Sequence, residues 1–264
     1  MCYNPSMLLA LDIGNTNISL ALFQGKRIIF KSRFCTFDSL KKIKELLSKI
    51  KKSSSVDGVI ISSVVPQIDE RIRKLVWQSF KVVPVFVTND LFKGLMQIKV
   101  KKPKEVGSDR LVNAFGAMKI YKKMPIIIID FGTATTFCAV NSNGDYIGGA
   151  IAPGINISRD ALHEKTAKLP FVQLKIPKSP IGKDTISAMR SGILYGYIGV
   201  VKEIVGRFKK ILGKKTFVIA TGGLAEIISS KTDIIDLINQ DLTLLGLNLL
   251  WETIWNKKQN TKKN

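Results

Sequence analysis

Three cysteines and one histidine in a chain of 264 residues leave little material for zinc or disulfide chemistry. Cys2, Cys35 and Cys138 are widely separated and odd in number, with no CxxC pair, so reduced thiols are expected. Long apolar runs are missing as well. The strongest near the N-terminus, Met7 to Ile13, is broken by Asp12 and falls far short of the ~20 residues that a membrane-spanning helix needs. It carries neither a basic leader nor a small-residue cleavage site, so no secretory signal is expected and the cytoplasm is the expected compartment. Acidic residues are scarce: 20 Asp and Glu stand against 41 Lys and Arg, a formal net charge of +21. Such a charge attracts polyanions. Most of the excess, however, is Lys dispersed in pairs such as Lys41-Lys42, Lys101-Lys102 and Lys209-Lys210. A nucleic-acid face needs clustering with Arg or aromatic interleaving, which is absent. The reading favours a solvated, Lys-biased surface over a dedicated nucleic-acid face, with no membrane partner.

What is present is a 45% apolar chain, enough for one large domain or two compact ones of roughly 100 to 150 residues. Short apolar runs alternate with amphipathic stretches, which predicts an α/β architecture. Met7–Ile13, Ser19–Phe23 and Arg27–Arg33 read as an antiparallel meander with a turn at Gln24-Gly25. Asp38 is a candidate cap for a helix running to about Lys49; Gly58–Ser62 reads as a strand, Gln67–Phe80 as a helix and Val82–Val87 as a strand. The same grammar restarts at residue 126. Ile126–Ile129 followed by Asp130-Phe131-Gly132-Thr133 repeats Leu8–Leu11 followed by Asp12-Ile13-Gly14-Asn15. Two copies of one fold are the economical explanation. After the second meander come a helix over Asn156–Lys168, a long helix over about Thr185–Lys210, a strand at Thr216–Ala220 and a last helix containing Leu242, Leu245, Leu249 and Trp251.

Chemistry is concentrated at strand ends. Asp12-Ile13-Gly14-Asn15-Thr16-Asn17 lies where a strand gives way to a turn, and small residues there let backbone N–H groups approach a phosphate. Asp12 would orient Mg²⁺ or its waters, a hard cation preferring carboxylate oxygen. An Asx-turn in a hairpin is the plain alternative. The second copy, Asp130-Phe131-Gly132-Thr133-Ala134-Thr135-Thr136, favours the sharper reading, because two such turns make a two-sided clamp for the phosphates of ATP. Gly222 and Gly223 follow another apolar strand and allow backbone to lie against a flat ligand, or simply form a tight turn. Gly107-Ser108-Asp109-Arg110 opens a helix: Ser108 or Asp109 is an N-cap, or Asp109 takes a proton from a substrate hydroxyl while Arg110 holds an anionic group.

In family order along the chain, DIGNTN at 12–17, PKEVGSDR at 103–110, DFGTATT at 130–136, GGAIAPGI at 148–155, TAKLP at 166–170, IGKDT at 181–185 with SGILYG at 191–196, and TGGLA at 221–225 resemble the type III pantothenate kinase family. The resemblance spans about residues 7–250. It implies an α/β fold of the acetate and sugar kinase, Hsp70 and actin superfamily: two duplicated ribonuclease-H-like domains, each a mixed five-stranded sheet with helices. The domains implied are an extension over 1–6, a first domain over 7–115, a second over 116–255 with a dimerisation helix, and a Lys/Asn-rich tail over 256–264. The activity implied is ATP-dependent phosphorylation of pantothenate to 4'-phosphopantothenate, the first step of coenzyme A synthesis, by a homodimer.

Carried over by position, the resemblance implies that Asp12, Ile13, Gly14, Asn15, Thr16, Asn17, Ile18 and Ser19 form the first phosphate loop, with Asp12 near Mg²⁺. Thr133, Gly222 and Gly223 would serve ATP, and Asp130 would ligate K⁺ or NH₄⁺. Gly107, Ser108, Asp109 and Arg110 would hold pantothenate, with Asp109 as the proton acceptor and Arg110 beside the substrate carboxylate. Thr185 would reach pantothenate across the dimer interface. One position departs: Val100 stands where many members carry Tyr, which bears on substrate affinity. His163, alone between Leu162 and Glu164, is read as structural or substrate-side. Two alternatives remain open: a kinase of another small hydroxyl or carboxylate substrate, and a non-catalytic regulator built on the same fold.

Overall fold

The computed structural model describes residues 7–36 and 39–261. The 1–6 extension, Cys2, the Asp38 cap and the last three residues of the tail lie outside the described residues. The meander forms as the alternation demands: β1 (Met7–Ile13), β2 (Asn17–Gln24) and β3 (Arg27–Cys35) are antiparallel, turning on Gly25 at φ 58°. A crossover through α1 (Ser39–Ser53) returns β4 (Gly58–Ser63) parallel to β1, and α2 (Pro66–Phe80) returns β5 (Val85–Phe86) parallel to β4. The strand order is β3-β2-β1-β4-β5. Ile43, Leu47 and Ile50 of α1, and Ile72 and Val76 of α2, recur at helical spacing and are buried with Leu9, Leu11 and Ile61 of the sheet.

The chain then runs through α3 (Ser108–Tyr121) and repeats itself. β6 (Ile126–Phe131), β7 (Ala134–Val140) and β8 (Tyr146–Pro153) form the second meander, followed by α4 (Ile155–Glu164) and α5 (Thr185–Leu212). β9 (Phe217–Thr221) lies parallel to β6, and after α6 (Ala225–Ser229) the two-residue β10 (Leu237–Ile238) lies parallel to β9. The order β8-β7-β6-β9-β10 matches the first sheet strand for strand, so each half is a mixed five-stranded sheet with helices. The final helix is α7 (Leu242–Thr261).

By chain contacts there are two compact units. The first takes the described parts of 1–96, 101–120 and 241–264; the second takes 97–100 and 121–240. The sequence-based boundary near 116 falls inside α3, all but the last residue of which belongs to the first unit. There α3 crosses α7 at a pair of glycines: a Cβ on Gly116 would stand 2.8 Å from the Gly246 Cα. Thr243 adds a 2.7 Å hydrogen bond to the Asn113 side chain, and Asn248 one of 3.1 Å to the Gly25 carbonyl. In the second unit residues 97–100 line up beside β8, through Tyr146 N–H to the Gln97 carbonyl (2.9 Å) and Lys99 N–H to the Tyr146 carbonyl (2.8 Å). No helix among the described residues is long and apolar enough to cross a membrane.

Candidate active site

Each sheet ends its first strand in the same way. Asp12, next to last in β1, stands opposite Ser19 of β2 and Ser62 of β4. Asp130, next to last in β6, stands opposite Thr136 of β7 and Thr221 of β9. Directly opposed residues project to one face of a sheet, so each carboxylate is flanked by a hydroxyl side chain on both sides. The repeat seen in the sequence is therefore a repeat of chemistry.

The turn after Asp12 is closed on itself by the Gly14 N–H to Asn17 carbonyl bond at 3.0 Å. Thr36, just past β3 and nearly buried, fastens it: its hydroxyl donates to the Gly14 carbonyl at 2.7 Å and its N–H to the Thr16 carbonyl at 2.9 Å. Asn15 and Thr36 border an open groove of about 860 Å³ that also bears Lys41, Lys42 and Arg71, with Glu45 opposing them. Ile13 and Ile18 are core residues, so they shape the loop from beneath.

The first unit also joins this strand end to α3. Ser62, fully buried, lies 3.0 Å from the Ser108 hydroxyl, which donates to the Ser63 carbonyl at 3.2 Å. Ser63 in turn donates to Asp69 of α2 at 2.6 Å. Ser108 thus begins the helix and anchors it instead of sitting ahead of it as a cap. Asp109 occupies the first turn, half-buried, and folds back over Gly107, where its carboxylate fills the space a Cβ would need. Burial pushes its carboxyl above the ordinary aspartate range, opposed by backbone N–H bonds from Arg110 and Asp109 and by the Arg110 charge. Arg110 donates to the Glu105 carbonyl at 3.4 Å and so braces the 103–107 segment.

In the second unit Asp130 and Gly222 are neighbours. Gly222 adopts φ +89°, and a Cβ there would stand 2.6 Å from the Asp130 Oδ1 and 2.7 Å from the Phe131 backbone, so only glycine fits. Gly223 is exposed beside it. Gly154, the N-cap of α4, lies so near the Gly132 and Thr133 carbonyls that a Cβ on it would stand 2.8 Å from the Gly132 oxygen. Sequence reasoning missed Thr36, Ser62, Gly154 and Tyr197. Superposing the two copies of the repeat would have found the first and third, since Thr36 follows β3 as Gly154 follows β8.

The structure thus gathers Asp12, the 13–17 turn and residues 107–110 in the first unit, and Asp130, Thr133 and Gly222 in the second. Thr185 stands apart. It is exposed at the start of α5, behind an Asp184 cap whose carboxylate accepts the Ser187 N–H at 2.8 Å. Tyr197, further along α5, touches the 130–136 segment; twelve residues of helix separate the two by about 18 Å. Val100 lies in the second unit beside Gly148, 3.6 Å from the position of a Cβ there. His163 donates its Nδ1–H to the Leu169 carbonyl at 2.9 Å and packs edge-on to Phe171, a structural role.

A sequence profile of type III pantothenate kinase matches residues 8–207. A type III pantothenate kinase of Geobacillus sp. (strain WCH70) is 45% identical over 260 residues, covering 96% of this chain and 100% of the relative. Among solved structures, a Campylobacter jejuni protein described as a Baf family transcriptional activator superposes with a TM-score of 0.58 at 17% identity, covering 94% of this chain and 99% of that one. The activator of 2-hydroxyisocaproyl-CoA dehydratase from Clostridium difficile, solved with bound ADPNP, gives 0.52 at 12% identity, covering 96% and 97%. At such identities the structural likeness speaks for the fold alone. Profile and near full-length identity speak for the family: the chain belongs to the type III pantothenate kinases.

Proposed function

We propose that this kinase transfers the terminal phosphoryl group of ATP to the primary hydroxyl of pantothenate, giving 4'-phosphopantothenate for coenzyme A synthesis, as a cytoplasmic homodimer. The observation that carries the reading is the tie between Asp12 and Asp109 within one unit. The Ser62–Ser108 bond fastens the start of α3, one residue before Asp109, to the strand paired with the one that bears Asp12.

In this reading the 12–19 loop offers backbone N–H groups and the Thr16 and Ser19 hydroxyls to the phosphates, with the Lys41, Lys42 and Arg71 cations close by. Thr133, Gly222 and Gly223 are further residues proposed to serve the nucleotide. Gly107, Ser108 and Arg110 shape the acceptor site, and the Arg110 guanidinium takes the pantothenate carboxylate. The acceptor oxygen forms its bond to the γ-phosphorus as the bond to ADP breaks. Its proton passes to Asp109. A carboxyl held above the usual range by burial is suited to that transfer, which comes late in a loose transition state.

Among the described residues no three His, Cys, Asp or Glu side chains converge on a point that would hold a metal. Asp12, flanked by the Ser19 and Ser62 positions, fits Mg²⁺ arriving with the nucleotide, because Mg²⁺ keeps several waters and phosphate oxygens and needs only one or two carboxylates. When bound, Mg²⁺ screens the triphosphate charge. Asp130, flanked by the Thr136 and Thr221 positions, presents hard oxygen suited to K⁺ or NH₄⁺. The homodimer reading rests on α5. Gly192, Gly196 and Gly199 leave open space where a Cβ would be, while Ile186, Tyr195 and Val200 are exposed apolar neighbours on the same helix. A second copy packed there would cover that face and bring Thr185 to the partner's acceptor site.

The test is ADP release by the purified chain with MgATP and pantothenate, in K⁺ and in Na⁺ buffer. Pantothenate-dependent release that falls in Na⁺ is expected. Release indifferent to pantothenate, or dependent instead on another acceptor from a panel of small hydroxy acids, overturns the substrate reading. Indifference to the cation overturns the role of Asp130.

A further inference from the structure

Tyr197 is a core residue of α5 whose polar end is turned toward the 130–136 loop. Its hydroxyl donates to the Thr135 hydroxyl oxygen and, at 3.1 Å, to the Pro153 carbonyl. Its ring meets Phe131, with centroids 6.4 Å apart. Thr135 is itself buried, and Ala134 pairs with Pro153 at the end of the β7–β8 ladder. A single side chain therefore touches the ends of β6, β7 and β8. These are the strand ends that frame Gly132-Thr133. Burial also keeps the phenol protonated, so it remains a donor throughout the working pH range.

A buried phenol requires a partner, but a core requires only a ring. Phe131, Ile193, Val201 and Val205 already supply the apolar packing around this turn of α5. The hydroxyl adds direction: it fixes where β7 and β8 end relative to α5. In the first unit Thr36, the residue after β3, does the corresponding work through its bonds to the Gly14 and Thr16 carbonyls. The second unit has Gly154 at that place, with no side chain to offer.

We propose that Tyr197 is a positioning residue for nucleotide binding, acting through Thr135 and Pro153 to hold the Gly132-Thr133 turn in its phosphate-binding shape. This rests on the reading of 130–136 as a nucleotide loop. Because the anchor belongs to α5, the helix that carries Thr185 and the exposed glycine face, the loop is fastened to the same rigid rod as the proposed dimer contact.

The experiment compares steady-state kinetics and thermal midpoints of the full chain with those of Tyr197→Phe, Thr135→Val, the double variant and Thr135→Ser. Loss of one neutral hydrogen bond predicts a rise in KM for MgATP of about three- to tenfold in Tyr197→Phe and in Thr135→Val. The double variant should be no worse than either single one. Thr135→Ser, which keeps the hydroxyl, should restore the wild-type value, and KM for pantothenate should not move. An unchanged KM for MgATP in Tyr197→Phe overturns the inference. So does a parallel rise of both KM values with a fallen midpoint, the signature of general loosening. If Tyr197→Phe does not fold, Thr135→Val against Thr135→Ser decides by the same criterion. Thr133→Ala separates the two levels. If it raises KM for MgATP while Tyr197→Phe does not, the anchor alone fails. If neither Thr133→Ala nor Asp130→Asn changes nucleotide kinetics, the nucleotide reading fails and takes the anchor with it.

Discussion

The turns after β1 and after β6 share an Asp-x-Gly pattern, a strand register and flanking hydroxyls, yet they are fastened by different means. The first is held from close by, through the Gly14–Asn17 backbone bond and the two bonds from Thr36. The second is held from a distance, through Tyr197 of α5 and the close approach of Gly154. The difference follows from what each half inserts after its third strand. The first half has one 15-residue helix, α1, packed on its own sheet, whereas the second has α4, a connecting segment and the 28-residue α5. One turn can thus be specified locally or delegated to a long helix. Delegation exposes it to whatever acts on that helix.

The largest expected effect breaks the symmetry outright, because Asp109, the proposed base, belongs to the first unit. Asp109→Asn should lower turnover by about 10²- to 10⁴-fold while leaving nucleotide affinity near wild type. It should also raise thermal stability at neutral pH. The native carboxyl is pushed above its ordinary value of 3.8 by burial, so the wild type pays for a buried charge once the pH exceeds the raised value. Below the ordinary value both forms are neutral, and the advantage of Asn should narrow as the pH falls toward it. Turnover near wild type, or a midpoint gap that ignores pH, would count against this account of Asp109.

A smaller effect probes the distant fastening. Gly154→Ala places a Cβ against the Thr133 and Gly132 carbonyls, the latter 2.8 Å away, so backbone must shift. Overpacking of this kind costs about 1–3 kcal/mol, and KM for MgATP should rise with it. A variant as stable as wild type by urea denaturation would show that the second turn yields without cost.

The smallest effect probes the local fastening. Thr36→Val keeps the shape but leaves the Gly14 carbonyl without its hydroxyl donor, at a cost of about 1 kcal/mol. The Thr36 N–H bond to Thr16 survives, so nucleotide affinity should fall less than in Tyr197→Phe. The reverse order, measured by KM for MgATP, would invert the comparison.

Strands and turns were legible because their causes are local. Alternation and Gly25 predicted the strands of the first meander to within two residues at each end. The errors have identifiable physical origins. The strand expected over 82–87 shrinks to Val85–Phe86, since Lys81 takes a left-handed φ of 58° and Pro84 lacks an N–H for a ladder. The helix expected to reach Lys168 stops at Glu164, where the His163 bond to Leu169 bends the chain back. On α5 the apolar residues Ile186 and Val200 are exposed, whereas Met189, Ile193, Tyr197, Val201 and Val205 form the buried stripe. Periodicity cannot say which of two apolar faces meets the sheet.

The sequence by itself determined the duplication, the two Asp-bearing turns, the Gly-Ser-Asp-Arg helix start and the family that these motifs resemble. Each of these is written within a few consecutive residues. Only the tertiary structure decided that α7 joins the first unit at the Gly116–Gly246 crossing, that Ser62 holds Ser108, and that Thr36 and Tyr197 fasten the turns. Those contacts join residues 22 to 130 positions apart. Their energy depends on burial and on the pairing of polar groups, which the chain acquires only when distant segments meet.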